Sequence, residues 1–433
     1  MLTYISHALY KVYVRFFGEH FKKEGFILYA RNVQWLSISK FFTLLFSLFT
    51  TILIARLLGP SLFGTLNYVL SIVGIFAVIA NLGIDTIVYK ELVNSKESRL
   101  VVFGSAITLK LITGVIATIL VISYTIIFNK FDYIYLILIL CLNFFFQPFT
   151  LLHLDFLKDA ESKYIAITNI ITSLTISVLK VCVIVYIGSL PLFIFILTLE
   201  NVIYSLLYIY QIVFLKKRSL QLTASFIWIK KILALSIPVA LFSVFTEIYS
   251  RIDQVMLASY LNTEVVGFYS AAVRVVDVWN IIPSILIASL FPALVNSNKT
   301  NEYSKRTKYF YILIGAVALI ASVITYILAP IIIKVLYGEA FAPSVQILSI
   351  YSFSLFGVFI SSVLFQNMII NNKKLMLFVF PLAIAAINIS LNIFFIPLFG
   401  GVGAAWATVI SYTAVPVIYF IFKLFQKYVS TFN

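Results

Sequence analysis

Charge is what this sequence has least of. Of its 433 residues, 11% are Asp, Glu, Lys or Arg, against roughly 25% in a soluble domain. So few charges could not clothe a chain of this length in water. With 62% hydrophobic residues and a mean hydropathy of +1.07, lipid must be the solvent for most of it. Cysteine is nearly absent. Cys141 and Cys182 both sit in apolar runs, away from any metal-ligand spacing, and read as packing residues that say nothing about redox compartment. Histidine is as scarce: His7, His20 and His153 are scattered, which argues against a metal centre, and His153-Leu-Asp155 reads as an interfacial loop. The chain also has no phosphate-binding glycine loop and no nucleophile elbow. No cofactor is expected, and any energy source must be an ion gradient or consumption of the product.

What is present is apolar length. A bilayer core of about 30 Å needs roughly 20 apolar residues per helix. Such runs occur near 34–57, 66–88, 101–127, 133–152, 165–187, 191–214, 232–258, 265–290, 309–332, 344–370, 375–397 and 402–422. The chain is therefore expected to be an all-α integral membrane protein of about 12 transmembrane helices. Residues 1–33 read as a leader. In it Leu2, Ile5, Leu9, Val12 and Phe16 recur at helical spacing beside Lys11 and Arg15, as in a basic amphipathic helix on the inner leaflet rather than a cleavable signal.

The net charge of +15 does not form one face, so nucleic acid is not the expected partner. Membrane lipid is. Lys and Arg fall in alternate loops: 23 of the 31 lie on one side of the expected membrane and three (Arg56, Lys130 and Lys334) on the other. By the positive-inside rule both termini are cytoplasmic.

A shift of 203 residues partly superposes the sequence on itself. Phe42, Thr43, Ser47, Ala55, Leu58, Gly64 and Val73 then meet Phe245, Thr246, Ser250, Ala258, Leu261, Gly267 and Val276. This predicts two six-helix halves, 34–214 and 232–422, joined by a basic cytoplasmic linker, 215–231, with a tail at 423–433. Parallel halves related by a pseudo-two-fold axis along the membrane normal are a transporter architecture, with substrate bound between them. Gly188 and Gly400 each open the outer turn before the last span of a half, which sets Lys180 against Asn392 in register.

Particular segments carry a family likeness. They are Ala55-Arg-Leu-Leu-Gly-Pro-Ser-Leu-Phe-Gly64, Asn81-Leu-Gly-Ile-Asp85, Ser236-Ile-Pro238, Asp253-Gln-Val-Met-Leu257 and Val266-Gly-Phe-Tyr-Ser-Ala-Ala272 with Arg274. Later come Leu336-Tyr-Gly338 with Phe341, and Ile396-Pro-Leu-Phe-Gly-Gly-Val-Gly-Ala-Ala-Trp-Ala407. Together they resemble the polysaccharide-export branch of the multidrug/oligosaccharidyl-lipid/polysaccharide exporter superfamily, and within it the O-antigen-type flippases. The resemblance implies a bacterial inner-membrane transporter, not an enzyme. It would move an undecaprenyl-diphosphate-linked oligosaccharide, of O-antigen or capsule type, to the outer leaflet by alternating access, in the company of other glycan-assembly proteins. The competing readings are a drug/cation antiporter of the same superfamily and a membrane glycan polymerase. The polymerase should show a large outer catalytic loop.

Charges inside spans are the candidate site residues, because each costs about 2.5–3.5 kcal/mol at mid-bilayer unless it meets a partner or a wet cavity. Cations that could hold a diphosphate are Arg251, Arg274, Lys110, Lys180 and Lys40. Lys110 and Lys180 have no acid within four residues, so they are expected to face a central cavity. Glu247 can pair with Arg251 and Asp277 with Arg274 at helical spacing. The acids Asp253, Glu247, Asp277 and Asp85 are candidates for coupling to H+ or Na+, Asp253 first because it lies off the face of Arg251. The plainer alternative puts Asp253 near the outer end of its span, simply hydrated.

Overall fold

The computed structural model describes residues 23–94, 98–287, 302–371 and 373–430. Expectations for residues 1–22 of the leader, for Lys96 and Lys299, and for tail residues 431–433 lie outside the described residues. Among the described residues every regular element is a helix. That follows from the solvent: in lipid a backbone N–H finds its acceptor only within its own segment.

Among the described residues, ten helices are long and apolar enough to cross a membrane. They are α1 (Arg31–Asn94), α2 (Arg99–Ile127), α3 (Phe131–Lys158), α4 (Ser162–Ile187), α5 (Leu190–Leu215), α6 (Phe226–Tyr260), α7 (Thr263–Ile287), α8 (Tyr303–Leu336), α9 (Ser344–Ile370) and α10 (Leu375–Ile421). Two of them each take up two expected spans. The 64 residues of α1 would make about 96 Å of straight helix, three times a bilayer core of about 30 Å. The rod is broken at Gly59, with φ 70° and ψ 174°, a conformation glycine reaches without a Cβ penalty. The next residue, Pro60, has no N–H to continue the ladder. Leu36 accordingly packs against the cluster of Ile84, Val88 and Leu92, so α1 folds back on itself. In α10 the break is at Gly400, φ 58° and ψ −134°.

Packing divides the described chain into two compact units: residues up to Ile54 with Phe76–Ala240, and Ala55–Ile75 with Leu241 onward. The core of the first unit joins Ile84 and Val88 of α1, Phe103 and Ile107 of α2, Leu151 and Phe156 of α3, and Tyr208 and Ile212 of α5. The core of the second includes Leu364 and Met368 of α9 with Phe380, Ile384 and Tyr412 of α10. Large apolar side chains such as Ile112, Ile116 and Ile119 on α2 stay exposed, as a lipid-facing surface requires. Cys141 is buried and Cys182 exposed, so only the first is a packing residue.

The basic linker is strapped to the first unit by ion pairs. Asp155 is buried, and its Oδ2 accepts from Arg99 Nη1 at 2.7 Å and Arg218 Nη1 at 2.8 Å. Arg218 Nη2 reaches Asp159 at 2.7 Å, and Lys216 pairs with Glu161. Burial alone would lower the Arg218 guanidinium, but its bonds to Asp159 and Asp155 hold it above its ordinary value. His153-Leu-Asp155 is thus no interfacial loop. It opens a helical turn, His153–Lys158, and its acid neutralises two arginines that sequence spacing does not connect to it.

Candidate functional site

The expected site residues fall into three groups. The first lines a cavity of about 530 Å³ inside the second unit, a size typical of small-ligand pockets. Arg251, Glu247 and Gln254 come from α6, Ser270, Arg274 and Asp277 from α7, Tyr351, Ser354 and Ser361 from α9, and Tyr412 from α10. Arg251 Nε donates to Glu247 Oε2 at 2.6 Å, one turn back on the same helix. The guanidinium lies over Gly74, where a Cβ would come within 2.7 Å of Nε. Arg251 is therefore held by an acid and fitted over a glycine.

Arg274 is different. No ion pair joins it to Asp277 within 4 Å among the described residues, and Asp277 instead accepts weakly from Asn280 Nδ2 at 3.5 Å. The spacing permitted a second self-satisfied pair, but only Glu247–Arg251 forms. Both Arg274 and Asp277 are exposed on the cavity side of α7.

The second group surrounds Asp253, which is 3% exposed. Its hydrated alternative is therefore wrong. Asn392 Nδ2 donates to Oδ1 at 2.6 Å, Thr408 Oγ1 donates to Oδ2 at 2.7 Å, and the Tyr269 hydroxyl donates to Oδ2 as well. Asn392 also donates to Asn388 Oδ1 at 3.1 Å. Asn392 and Thr408 are 16 residues apart, about 24 Å along a straight helix, yet both reach one carboxylate. The break at Gly400 turns α10 back so that its two arms close on Asp253. Tyr269 in turn sets its ring edge-on to Tyr351, centroids 5.7 Å apart, and Tyr351 is part of the cavity wall.

The third group lies in the first unit. Lys110 is 2% exposed and pairs with Asp85, itself 51% exposed; Lys180 Nζ lies 3.5 Å from Glu200 Oε2. Neither lysine is the free cavity cation that its local sequence suggested. The acids come from neighbouring helical segments, 25 and 20 residues away, beyond the reach of an i,i+4 argument. Asp85 is thereby engaged by Lys110, while Lys40 is exposed on α1.

Sequence reasoning missed the residues around Asp253, though Asn388 and Asn392, four apart in an apolar run, were a signal that one helix face has polar business. It also missed Arg56. This residue sits in the first family-like segment, and its Nε donates to the Leu336 carbonyl at 2.7 Å, with Nη2 bonding the Val335 carbonyl. It thus covers the free acceptors at the C-terminal end of α8.

Comparisons with known proteins bear on the family and the fold. A family model described as "Polysaccharide biosynthesis protein" matches residues 29–298. A probable flippase, AglR, of Haloferax volcanii is 26% identical over 170 residues, spanning 38% of this chain and 36% of that protein. The fold is similar to the inward-facing conformation of a multidrug resistance MATE family transporter of the MOP superfamily, with a TM-score of 0.69, 16% identity and coverage of 91% of this chain and 98% of that one. It is also similar to the lipid II flippase MurJ in an inward closed conformation, with a TM-score of 0.67, 19% identity and coverage of 90% and 87%.

Proposed function

Since the chain belongs to the polysaccharide biosynthesis protein family, we propose that it is a flippase for an undecaprenyl-diphosphate-linked oligosaccharide, carried from the cytoplasmic to the outer leaflet of a bacterial inner membrane. In this reading the ten long helices make twelve crossings, arranged as two halves with both termini cytoplasmic.

The observation that carries the proposal is Arg274, exposed on a partly open cavity beside the acid-held Arg251. A diphosphate brings at least two negative charges, and fixed guanidinium groups in a medium of low dielectric attract it strongly and bind it in bidentate fashion. Among the described residues Arg274 has no carboxylate within 4 Å to exchange for the phosphate. Arg251 must release Glu247 to take part, so it is the better group to sense loading. Glu247 and Asp277 in the same wall keep the cation antiporter in view as a second reading.

Asp253 is the coupling candidate of this reading. A buried carboxylate that accepts from one amide N–H and two hydroxyls can exchange those donors for a proton or a small hard cation. Asn392 Oδ1 is buried without a partner among the described residues, an orphan that a bound cation would satisfy. The Tyr269–Tyr351 contact gives this carboxylate a packed route to the cavity wall.

The test is translocation of an undecaprenyl-diphosphate-linked glycan in proteoliposomes. Arg274→Ala is expected to abolish it at normal protein levels, and Arg274→Lys to retain part of it. Full transport by Arg274→Ala would remove the diphosphate site from this cavity. Transport of organic cations instead of the glycan would favour the antiporter.

A further inference from the structure

Most hydroxyls in these helices are satisfied by their own backbone. Ser322 donates to the Ala318 carbonyl at 2.9 Å, Thr246 to Phe242 at 3.0 Å, and Ser362 to Phe359 at 2.7 Å. Three serines of the cavity break this habit. Ser270 on α7 is 1% exposed, and Ser354 and Ser361 on α9 are 1% and 7% exposed. Each Oγ is buried and has no hydrogen-bond partner among the described residues. A buried hydroxyl without a partner is costly, and native structures hold few of them. All three residues line the same cavity, and a turn of χ1 would offer each unpartnered hydroxyl to a ligand there.

Their placement fits one kind of ligand. Ser270 lies one helical turn before Arg274, so hydroxyl and guanidinium share a face of α7. Ser354 and Ser361 are seven residues apart, two turns of one face and about 10 Å along α9. A serine hydroxyl is both donor and acceptor and re-aims by one step of χ1. Such groups suit a ligand with many hydroxyls of its own, and they add no charge to compete with the arginines.

We propose that Ser270, Ser354 and Ser361 form a sugar subsite, which takes the hydroxyls of the ring attached to the diphosphate while Arg274 takes the phosphate. The assignment rests on the flippase reading and deepens it: the cavity recognises the linked sugar as well as the lipid diphosphate. The serines then set a preference for loaded over bare carrier, which keeps the cavity from filling with carrier lipid that has no glycan.

The test compares two kinds of probe on purified full-length protein in nanodiscs. One is undecaprenyl diphosphate; the others are the same lipid bearing glucose, galactose or N-acetylglucosamine. Wild type is expected to bind at least one sugar-bearing probe ten-fold or more above the bare lipid. In the variant S270A/S354A/S361A that preference should collapse, at roughly five-fold per lost hydroxyl, with affinity for bare lipid diphosphate retained. Because the substitutions remove unpaired buried groups, the variant should melt no lower than wild type. A triple variant that keeps the full preference overturns the subsite, as does wild type that binds bare and sugar-bearing lipid alike; in both cases the hydroxyls serve only trapped water. Arg274→Ala separates the two layers, since it should weaken bare and sugar-bearing lipid together. If it weakens neither, or if wild type binds no probe at all, the flippase reading itself fails and the subsite falls with it.

Discussion

Gly64 and Gly267 occupy the same place in the 203-residue repeat, and they touch. A Cβ on Gly64 would lie 1.6 Å from the Thr263 carbonyl oxygen, and one on Gly267 would lie 2.1 Å from that of Pro60. Thr263 is itself Pro60 moved by 203, so the contact is its own image under the repeat. Close backbone approach through small residues is also how helices hold together in lipid, where apolar burial gives no drive. Gly64→Ala or Gly267→Ala must therefore push backbone from backbone, at a cost of about 3 kcal/mol or more. Gly315→Ala is the contrast, because its Cβ would meet only Ile360 Cδ1 and Phe356 Cε2 at 3.6 and 3.7 Å. It should be neutral or gain about 0.5–1 kcal/mol in helix stability. Thermal unfolding in detergent followed by size-exclusion chromatography checks both signs.

The Glu247–Arg251 pair is open to a swap. Glu247→Arg with Arg251→Glu keeps an i,i+4 pair but moves the guanidinium off Gly74. Protein levels should recover relative to either single variant, and glycan transport should not. Full recovery of transport would mean that the pair serves packing alone.

Asp253→Asn removes the charge proposed for coupling while keeping an oxygen for its neighbours. Glycan flux into proteoliposomes should rise with an imposed H+ or Na+ gradient in wild type and lose that dependence in the variant. Gradient-driven flux that survives in Asp253→Asn passes the role to Glu247, Asp277 or Asp85, and wild-type flux indifferent to every gradient ends coupling altogether.

Asp155 balances two arginines through one buried carboxylate oxygen. Asp155→Asn leaves Arg99 without its carboxylate and Arg218 with Asp159 alone, and because both arginines are partly solvated the expected loss is about 3 kcal/mol. The measurement is the melting temperature of the purified variant. An unchanged value would show that water already screens the strap.

Orientation has its own check. Reporter fusions after Lys217 and after Lys423 should read cytosolic and one after Glu339 external, as the distribution of Lys and Arg requires. An external reading at Lys217 would overturn the two-halves arrangement along with the orientation.

Much of this architecture was legible because one constraint dominates it. Apolar length marks the rods, and Gly59, two residues past the span expected at 34–57, and Gly400, two before the span expected at 402–422, mark where two rods turn. Glu247–Arg251 was legible too, since both partners ride one helix at fixed spacing. Lys110 and Lys180 were misread for the converse reason: Asp85 and Glu200 reach them from other segments, and no local periodicity encodes that. Arg274 and Asp277 show that permitted spacing is not contact. The burial of Asp253 was invisible because two of its three partners depend on how α10 turns back at Gly400.

That last arrangement has a consequence for how the protein is made. Asn392 and Thr408 lie 139 and 155 residues beyond the acid they satisfy. At about 5–20 residues per second, a ribosome needs on the order of 8–30 s to deliver them. Throughout that time Asp253 enters the bilayer with only Tyr269, 16 residues on, to shield it. Synthesis therefore passes through a stage in which α6 is a poor membrane segment waiting for the end of its own chain. Loss of Asn392 or Thr408 would prolong that exposure, and its first sign would be nascent protein degraded before assembly.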